Sequence, residues 1–148
     1  MRVWIINHYA IPPSMGGLVR HYYFSRYLRK MGHDVRIMTA SEIHNTEINM
    51  IRDGSLCREE MMDGVPYTFL KTRDYSGNGL SRIYNMLEFP VRIQQVVKKL
   101  VKGGERPDVI YLRSHDFCGR LGIGCGAPAE GSLRRRDSGH LAGIDCGI

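Results

Sequence analysis

Residues 1–40, MRVWIINHYAIPPSMGGLVRHYYFSRYLRKMGHDVRIMTA, decide the fold. Val3-Trp4-Ile5-Ile6 is a continuous apolar run, the pattern of a short strand buried on both faces. A loop holding Pro12, Pro13, Gly16 and Gly17 interrupts it. Leu18 to Met31 then reads as a helix. Val19, Tyr23, Tyr27 and Met31 fall four apart with Phe24 and Leu28 beside them, which predicts one apolar face toward a sheet. Arg20, Arg26, Arg29 and Lys30 fall largely elsewhere. Gly32 stands where a helix commonly ends in a left-handed residue. Val35 to Ala40 reads as a second strand. The run is a βαβ unit, so its two strands are expected to be parallel with a right-handed crossover.

Outward from this unit the alternation continues. Ser41 to Asp63 is polar and carries no clear period. Gly64-Val65-Pro66 reads as a turn and Tyr67 to Leu70 as a third strand. Asp74 to Gly79, DYSGNG, reads as a flexible loop. Ser81 to Lys102 carries a long helical pattern in which Pro90, lacking an N–H, is expected to kink or split the helix. Gly103-Gly104 ends it, and Asp108 to Leu112 reads as a fourth strand. Strands alternating with helices predict an α/β fold with an open, mostly parallel sheet covered on both faces.

The composition changes near residue 118. Residues 119–148 hold eight of the 17 glycines, no aromatic residue and no valine. Their six Leu/Ile follow neither strand nor helix period, so no stable element is expected there. The division is therefore a domain over 1–118 and a tail over 119–148. At 148 residues the chain is long enough for one core. No apolar run approaches the ~20 residues of a membrane span. Val3 to Ile6 is too short for a signal-peptide core, so a cytoplasmic, reducing setting is expected. Cys57, Cys118, Cys125 and Cys146 have no CxxC spacing and read as unpaired thiols. The net charge is +6. It suits an anionic partner such as a phosphosugar, a membrane surface or a nucleic acid, and does not choose among them.

In sheets of this kind, ligands sit beyond the carboxyl ends of the strands. Three segments are expected there: Asn7 to Gly17, Thr39 to His44, and Arg113 to Phe117. In the first, Gly16 and Gly17 open onto a helix whose free N–H groups suit a phosphate or hydroxyl, with Arg20 one turn further in and His8 just after the strand. The same glycine pair also serves as a tight connection. In the third, His115 and Asp116 set an imidazole and a carboxylate past a strand end, suited to hydrogen bonding or proton transfer and equally to a plain surface pair. Neither a GxGxxG fingerprint opening a helix nor a P-loop is present, and no metal constellation stands out.

Residues 1–118 resemble the start of family 4 glycosyltransferases of the GT-B fold. The resemblance rests on the strand, the Pro/Gly-Gly loop, the helix ending in Gly32-His33-Asp34-Val35, and the strand ending in Thr39-Ala40. Asp63-Gly64-Val65-Pro66 and Pro107 to Tyr111 leading to Ser114-His115 extend it. It implies a Rossmann-like sheet forming the N-terminal, acceptor-side half of a two-domain enzyme that uses a nucleotide-sugar donor without a cofactor or required metal. It assigns Gly16 and Gly17 to the interdomain cleft and His115 to the donor sugar region. The paired glutamates of the family's donor-binding domain have no counterpart here, so the half is expected to be incomplete and inactive alone. The catalytic residues stay unassigned. The acceptor is expected to be a sugar or lipid-linked sugar in surface-polysaccharide or lipopolysaccharide assembly.

Members close to this pattern follow the fourth strand with a segment resembling VEIRDIWPESIVEY. Residues 137–148, DSGHLAGIDCGI, admit a codon set that encodes IRDIWPESIVE when read one base later. A frameshift near Cys118 or Gly119 is the expectation that follows. Two other readings compete with the transferase. One is a non-catalytic binding subunit of a split transferase. The other is a basic nucleic-acid-binding α/β domain, against which stands the absence of a recognition-helix or RNP-like motif, so no nucleic-acid partner is expected. The first half of helix 81–102, with the basic residues, also suits peripheral contact with the inner face of an anionic membrane.

Overall fold

The computed structural model describes residues 1–17, 19–43, 46, 48–75 and 79–112, and the backbone of 134–135. The strands are β1 (Arg2–Ile6), β2 (Asp34–Ala40), β3 (Cys57–Met62), β4 (Val65–Leu70), β5 (Val109–Leu112) and β6 (Arg134–Arg135), and the helices are α1 (Arg20–Lys30) and α2 (Leu80–Lys102). They form one sheet of order β3-β4-β2-β1-β5-β6. β4, β2, β1 and β5 run parallel, with Ile5 opposite both Ile37 and Tyr111, while β3 and β6 pair antiparallel at the two edges.

Alternation along β1 sorts the core into two layers. Val3 and Ile5 join Val35, Ile37, Tyr67 and Phe69 on the face that α1 covers. Trp4 and Ile6 join Met38, Ala40 and Leu70 against Phe89, Ile93 and Val96 of α2 on the other. The expected βαβ unit and doubly covered parallel sheet are present. The crossover β1-α1-β2 steps to one side of β1 and β4-α2-β5 steps to the other, so the strand order reverses between β1 and β5.

Several boundaries and faces differ from the sequence reading. The row Val19, Tyr23, Tyr27 and Met31 does not face the sheet: these residues are 42%, 57%, 64% and 57% exposed. His21, Tyr22 and Ser25 are buried instead, with Phe24 and Leu28 half-buried against the core. The apolar row and the buried row lie side by side on the helix, and the small Ser25 and the flat rings of His21 and Tyr22 fit where the backbone approaches the strands. Tyr22 also donates its hydroxyl to the Asp63 carbonyl, a partner the outer row lacks. The segment Ser41 to Asp63, unassigned from sequence, contains β3. The turn is Asp63-Gly64 rather than Gly64 to Pro66, and both residues take positive φ, 52° and 80°. That is the geometry of a two-residue hairpin whose twist matches its strands. Val65 and Pro66 therefore belong to β4, which starts two residues before the expected Tyr67. Pro90 does not divide α2, which is one element of 23 residues. Its ring is buried. In the tail, read as lacking any element, Arg134 and Arg135 pair with Ile110 and Val109.

The misread face of α1 has an energetic consequence. Ser25 is fully buried and its hydroxyl has no hydrogen-bond partner among the described residues. An unsatisfied buried hydroxyl costs about 1–3 kcal/mol. Ser25→Ala removes it with almost no change of shape, and is expected to raise the stability of the chain by roughly 1 kcal/mol in urea denaturation; an unchanged or lower midpoint would mean the hydroxyl is satisfied in solution.

Candidate functional site

The ends of β1, β2 and β4 converge on one polar cluster. β1 stops at Ile6 because Asn7 turns the chain: its side-chain oxygen accepts the Tyr9 N–H at 2.8 Å, a local turn that short amide side chains make readily. His8 follows, 6% exposed. Its carbonyl accepts the Thr39 hydroxyl at 3.1 Å, which fastens the loop to β2. The imidazole reaches α2 instead, where Nε2 meets Asn85 Oδ1 at 2.8 Å. The Asn85 amide nitrogen donates to the Arg73 carbonyl. A carbonyl only accepts, so the amide is fixed with its oxygen toward His8, and His8 carries its proton on Nε2. The Phe89 ring stands edge-on to the imidazole at 4.6 Å, which closes this side to water.

A second amide ties β2 to the segment after β4. Asn49 donates to the Thr72 carbonyl and to the Asp74 carboxylate, and accepts the Ile51 N–H at 3.0 Å. Ser41 Oγ accepts the Thr72 N–H at 3.1 Å. Beside them lies Glu42, 7% exposed. Burial, then the neighbouring Asp74 charge, push its carboxyl up to about 7, against a smaller opposing effect of a hydrogen bond from Tyr75. Tyr75, in turn, is held well above the ordinary phenol range by burial and by Glu42. The arrangement presents the Glu42 carboxyl, the Tyr75 phenol and the His8 imidazole on one edge, groups able to hold hydroxyls, with Glu42 able to take up or give a proton near neutral pH.

The sign of the Glu42 effect is fixed by its direction. The carboxyl is harder to ionise in the fold than its ordinary value of 4.5, so folding favours the protonated form. The penalty is absent well below the unfolded value, grows from there, and is complete above about 7. Stability is therefore expected to fall between those limits as pH rises. Glu42→Gln is expected to flatten that slope and to be the more stable form in alkaline buffer, measured as urea midpoints across the range. A variant that keeps the slope would assign it to another group.

The candidate residues from sequence do not all meet. His8 lies in this cluster. Gly16, Gly17 and Arg20 belong to a loop tied to the opposite end of the sheet, where Ser14 N–H donates to the Asp63 carboxylate at 3.1 Å, at the β3–β4 turn. There Gly16 has φ 77° and closes the 3₁₀ turn Pro13–Met15. A Cβ on Gly17 would collide with the Ile11 backbone, so the close approach is made by the protein's own chain. Arg20 is exposed at the start of α1. His115 and Asp116 lie outside the described residues. β5, which precedes them, lies next to β1, so the crevice where the strand order reverses has His8 at one lip. Among the described residues no three His, Cys, Asp or Glu stand together as a metal site.

Sequence reasoning singled out none of Asn85, Asn49, Glu42, Asp74 and Tyr75, although Glu42 lies in the expected segment Thr39 to His44. Asn85 had a signal: it is the polar member of the helix row that continues through Phe89, Ile93 and Val96. The other four sit in the polar stretches after β2 and β4, whose meeting depends on strand order.

No protein-family model matches the sequence, and no curated protein does. Among solved structures the chain is similar to the catalytic domain of starch synthase IV from Arabidopsis thaliana, described as bound to ADP and acarbose. The likeness has a TM-score of 0.50 at 15% identity, and covers 82% of this chain and 29% of that one. It shows the fold alone: an open, mostly parallel Rossmann-like α/β sheet. No helix among the described residues is long and apolar enough to cross a membrane.

Proposed function

We propose that the chain is the acceptor-side part of a family 4 glycosyltransferase, holding a sugar or lipid-linked sugar while a second lobe presents a nucleotide-sugar. The polar edge around His8, Glu42 and Asn85, at the carboxyl ends of a GT-B-type sheet, carries the reading. Hydroxyl-rich ligands need several fixed donors and acceptors on a dry floor, and this edge supplies them from three strand ends and one helix. The starch synthase neighbour is described with a nucleotide and a saccharide bound, which is the ligand pair the proposal brings to this chain. Gly16 and Gly17 are assigned to the interdomain cleft and His115 to the donor sugar region, with Arg20 and Asp116 as further substrate-binding residues, and no metal or cofactor takes part. The reaction class is transfer of a glycosyl group in the cytoplasm, serving surface-polysaccharide or lipopolysaccharide assembly.

The proposal includes a frameshift after residue 118 that separates this half from the donor lobe. The encoding DNA tests it. The expected result is an alternate frame reading IRDIWPESIVE and continuing into a donor-binding domain. Restoring that frame should give a protein that transfers sugar from a nucleotide-sugar and loses activity with His8→Ala, while the 148-residue chain transfers none. DNA with no such frame sinks the frameshift, and transfer by the chain unaided sinks the division of labour.

A further inference from the structure

We propose that the outer face of α2 is a docking surface for an anionic lipid bilayer. At about 100° per residue, Leu80, Ile83, Tyr84, Leu87 and Val91 fall within roughly 100° of arc. That arc lies opposite the row Asn85, Phe89, Ile93 and Val96, which is buried. The outer residues are 73%, 51%, 58%, 38% and 53% exposed. A helix that buries one face against a sheet ordinarily carries polar residues on the other. Here the first half is apolar on both, and the outer line becomes polar only past Val91, where Gln94, Lys98 and Lys102 continue it.

The order along that line identifies the occupant. The apolar part is about 17 Å long at 1.5 Å per residue, too short to cross a bilayer and long enough to lie in its surface. Tyr84 stands within it, an aromatic side chain with a polar tip of the kind that favours the lipid–water boundary. α2 carries five basic residues, Arg82, Arg92, Lys98, Lys99 and Lys102, against one acid, Glu88, a net charge of +4. Glu88 is ion-paired to Arg92 at 2.9 Å and lies off the outer line. An apolar wedge followed by lysines, with no acid on the same face, matches acyl chains beneath negatively charged head groups. The exposed row of α1 is on the other side of the sheet, holds two tyrosines, and cannot lie on the same plane. The inference goes beyond the transferase reading and does not depend on it.

Flotation of the full chain with vesicles tests it, because floating material is separated from any aggregate. The chain is expected to float with phosphatidylcholine vesicles containing phosphatidylglycerol and to stay down with pure phosphatidylcholine. Added salt should weaken the association. The Ile83→Glu/Leu87→Glu variant should bind at least about tenfold more weakly, because two charges replace the apolar wedge. Lys98→Gln/Lys102→Gln should bind roughly tenfold more weakly, with a flatter salt dependence. Tyr23→Ser/Tyr27→Ser on α1 should float like the unchanged chain. All of these positions face outward, so melting curves should match and show that the variants fold. The proposal is overturned if the unchanged chain does not float, if it floats equally with neutral vesicles, or if the glutamate variant floats unimpaired. It is also overturned if the chain is a dimer that this variant dissociates without any lipid binding, which would make a second copy the occupant.

Discussion

Phe89→Ala is expected to lower the melting temperature by more than about 10 °C, measured by circular dichroism. Phe89 is wholly buried at the middle of α2, in the core cluster that holds Trp4 and Ile6 of β1, Met38 of β2 and Leu70 of β4. Removing a buried phenylalanine side chain costs about 3–5 kcal/mol, because the transfer free energy is lost and the surrounding strands cannot close the hole. Total stability of such a domain is about 5–15 kcal/mol, so the loss is a large fraction of it. The ring also forms a wall of the His8 site, so its removal admits water to the imidazole. A shift of only a degree or two would show that α2 is not seated on the sheet as described.

Asn85→Leu is expected to be nearly as damaging for a different reason. Leucine has a similar volume, so no cavity forms. What disappears is a clamp: His8 Nε2–H and the Arg73 carbonyl both lose their partner, and Asn85 itself is fully buried. The buried His8 N–H left unsatisfied costs about 1–3 kcal/mol, and the Arg73 carbonyl, on an exposed residue, adds less because water can replace its partner. Urea denaturation measures the sum. Nitrogen NMR of the His8 ring measures the cause, since the wild-type imidazole is expected as the Nε2–H tautomer. Asn85→Asp separates the two bonds: the carboxylate still accepts from His8 but meets the Arg73 carbonyl with a second acceptor, so it should hold the tautomer and still lose stability. If Asn85→Leu leaves the His8 tautomer fixed and the midpoint unmoved, the amide is not the clamp.

The elements legible in the sequence are those whose signal is local. Val3 to Ile6 is apolar because it is buried from both sides, Val35 to Ala40 is buried but for the ion-paired Arg36, Val109 to Leu112 is an apolar run that is buried at Val109 and half-buried beyond it, and Gly32 marks its helix end because its φ of 83° excludes most side chains. β3 was not legible because it is an edge strand with one face in water: Arg58, Glu59 and Glu60 are what such a strand tolerates. The side of α1 that packs was misread because tyrosine counts as apolar in a periodicity and histidine and serine do not. At this surface, tilted ring contacts of His21 and Phe24 with Tyr111, and the Tyr22 hydrogen bond, outweighed hydropathy. His8 was found because it follows a strand directly. Its partners were not, because Asn85 is 77 residues away and the two meet only through the strand order.

β1 is first in the chain and central in the sheet, which sets a timetable for the nascent polypeptide. β1 needs β2 on one side and β5 on the other, and the Arg2 amide finds its acceptor on Asp108, 106 residues later. At translation rates of about 5–20 residues per second, Val3 to Ile6 waits on the order of 5–20 s before its second neighbour has been made. Throughout that interval the stickiest segment of the protein has one flank open, a natural stopping place for a holding chaperone such as those that grip extended apolar stretches as they leave the ribosome.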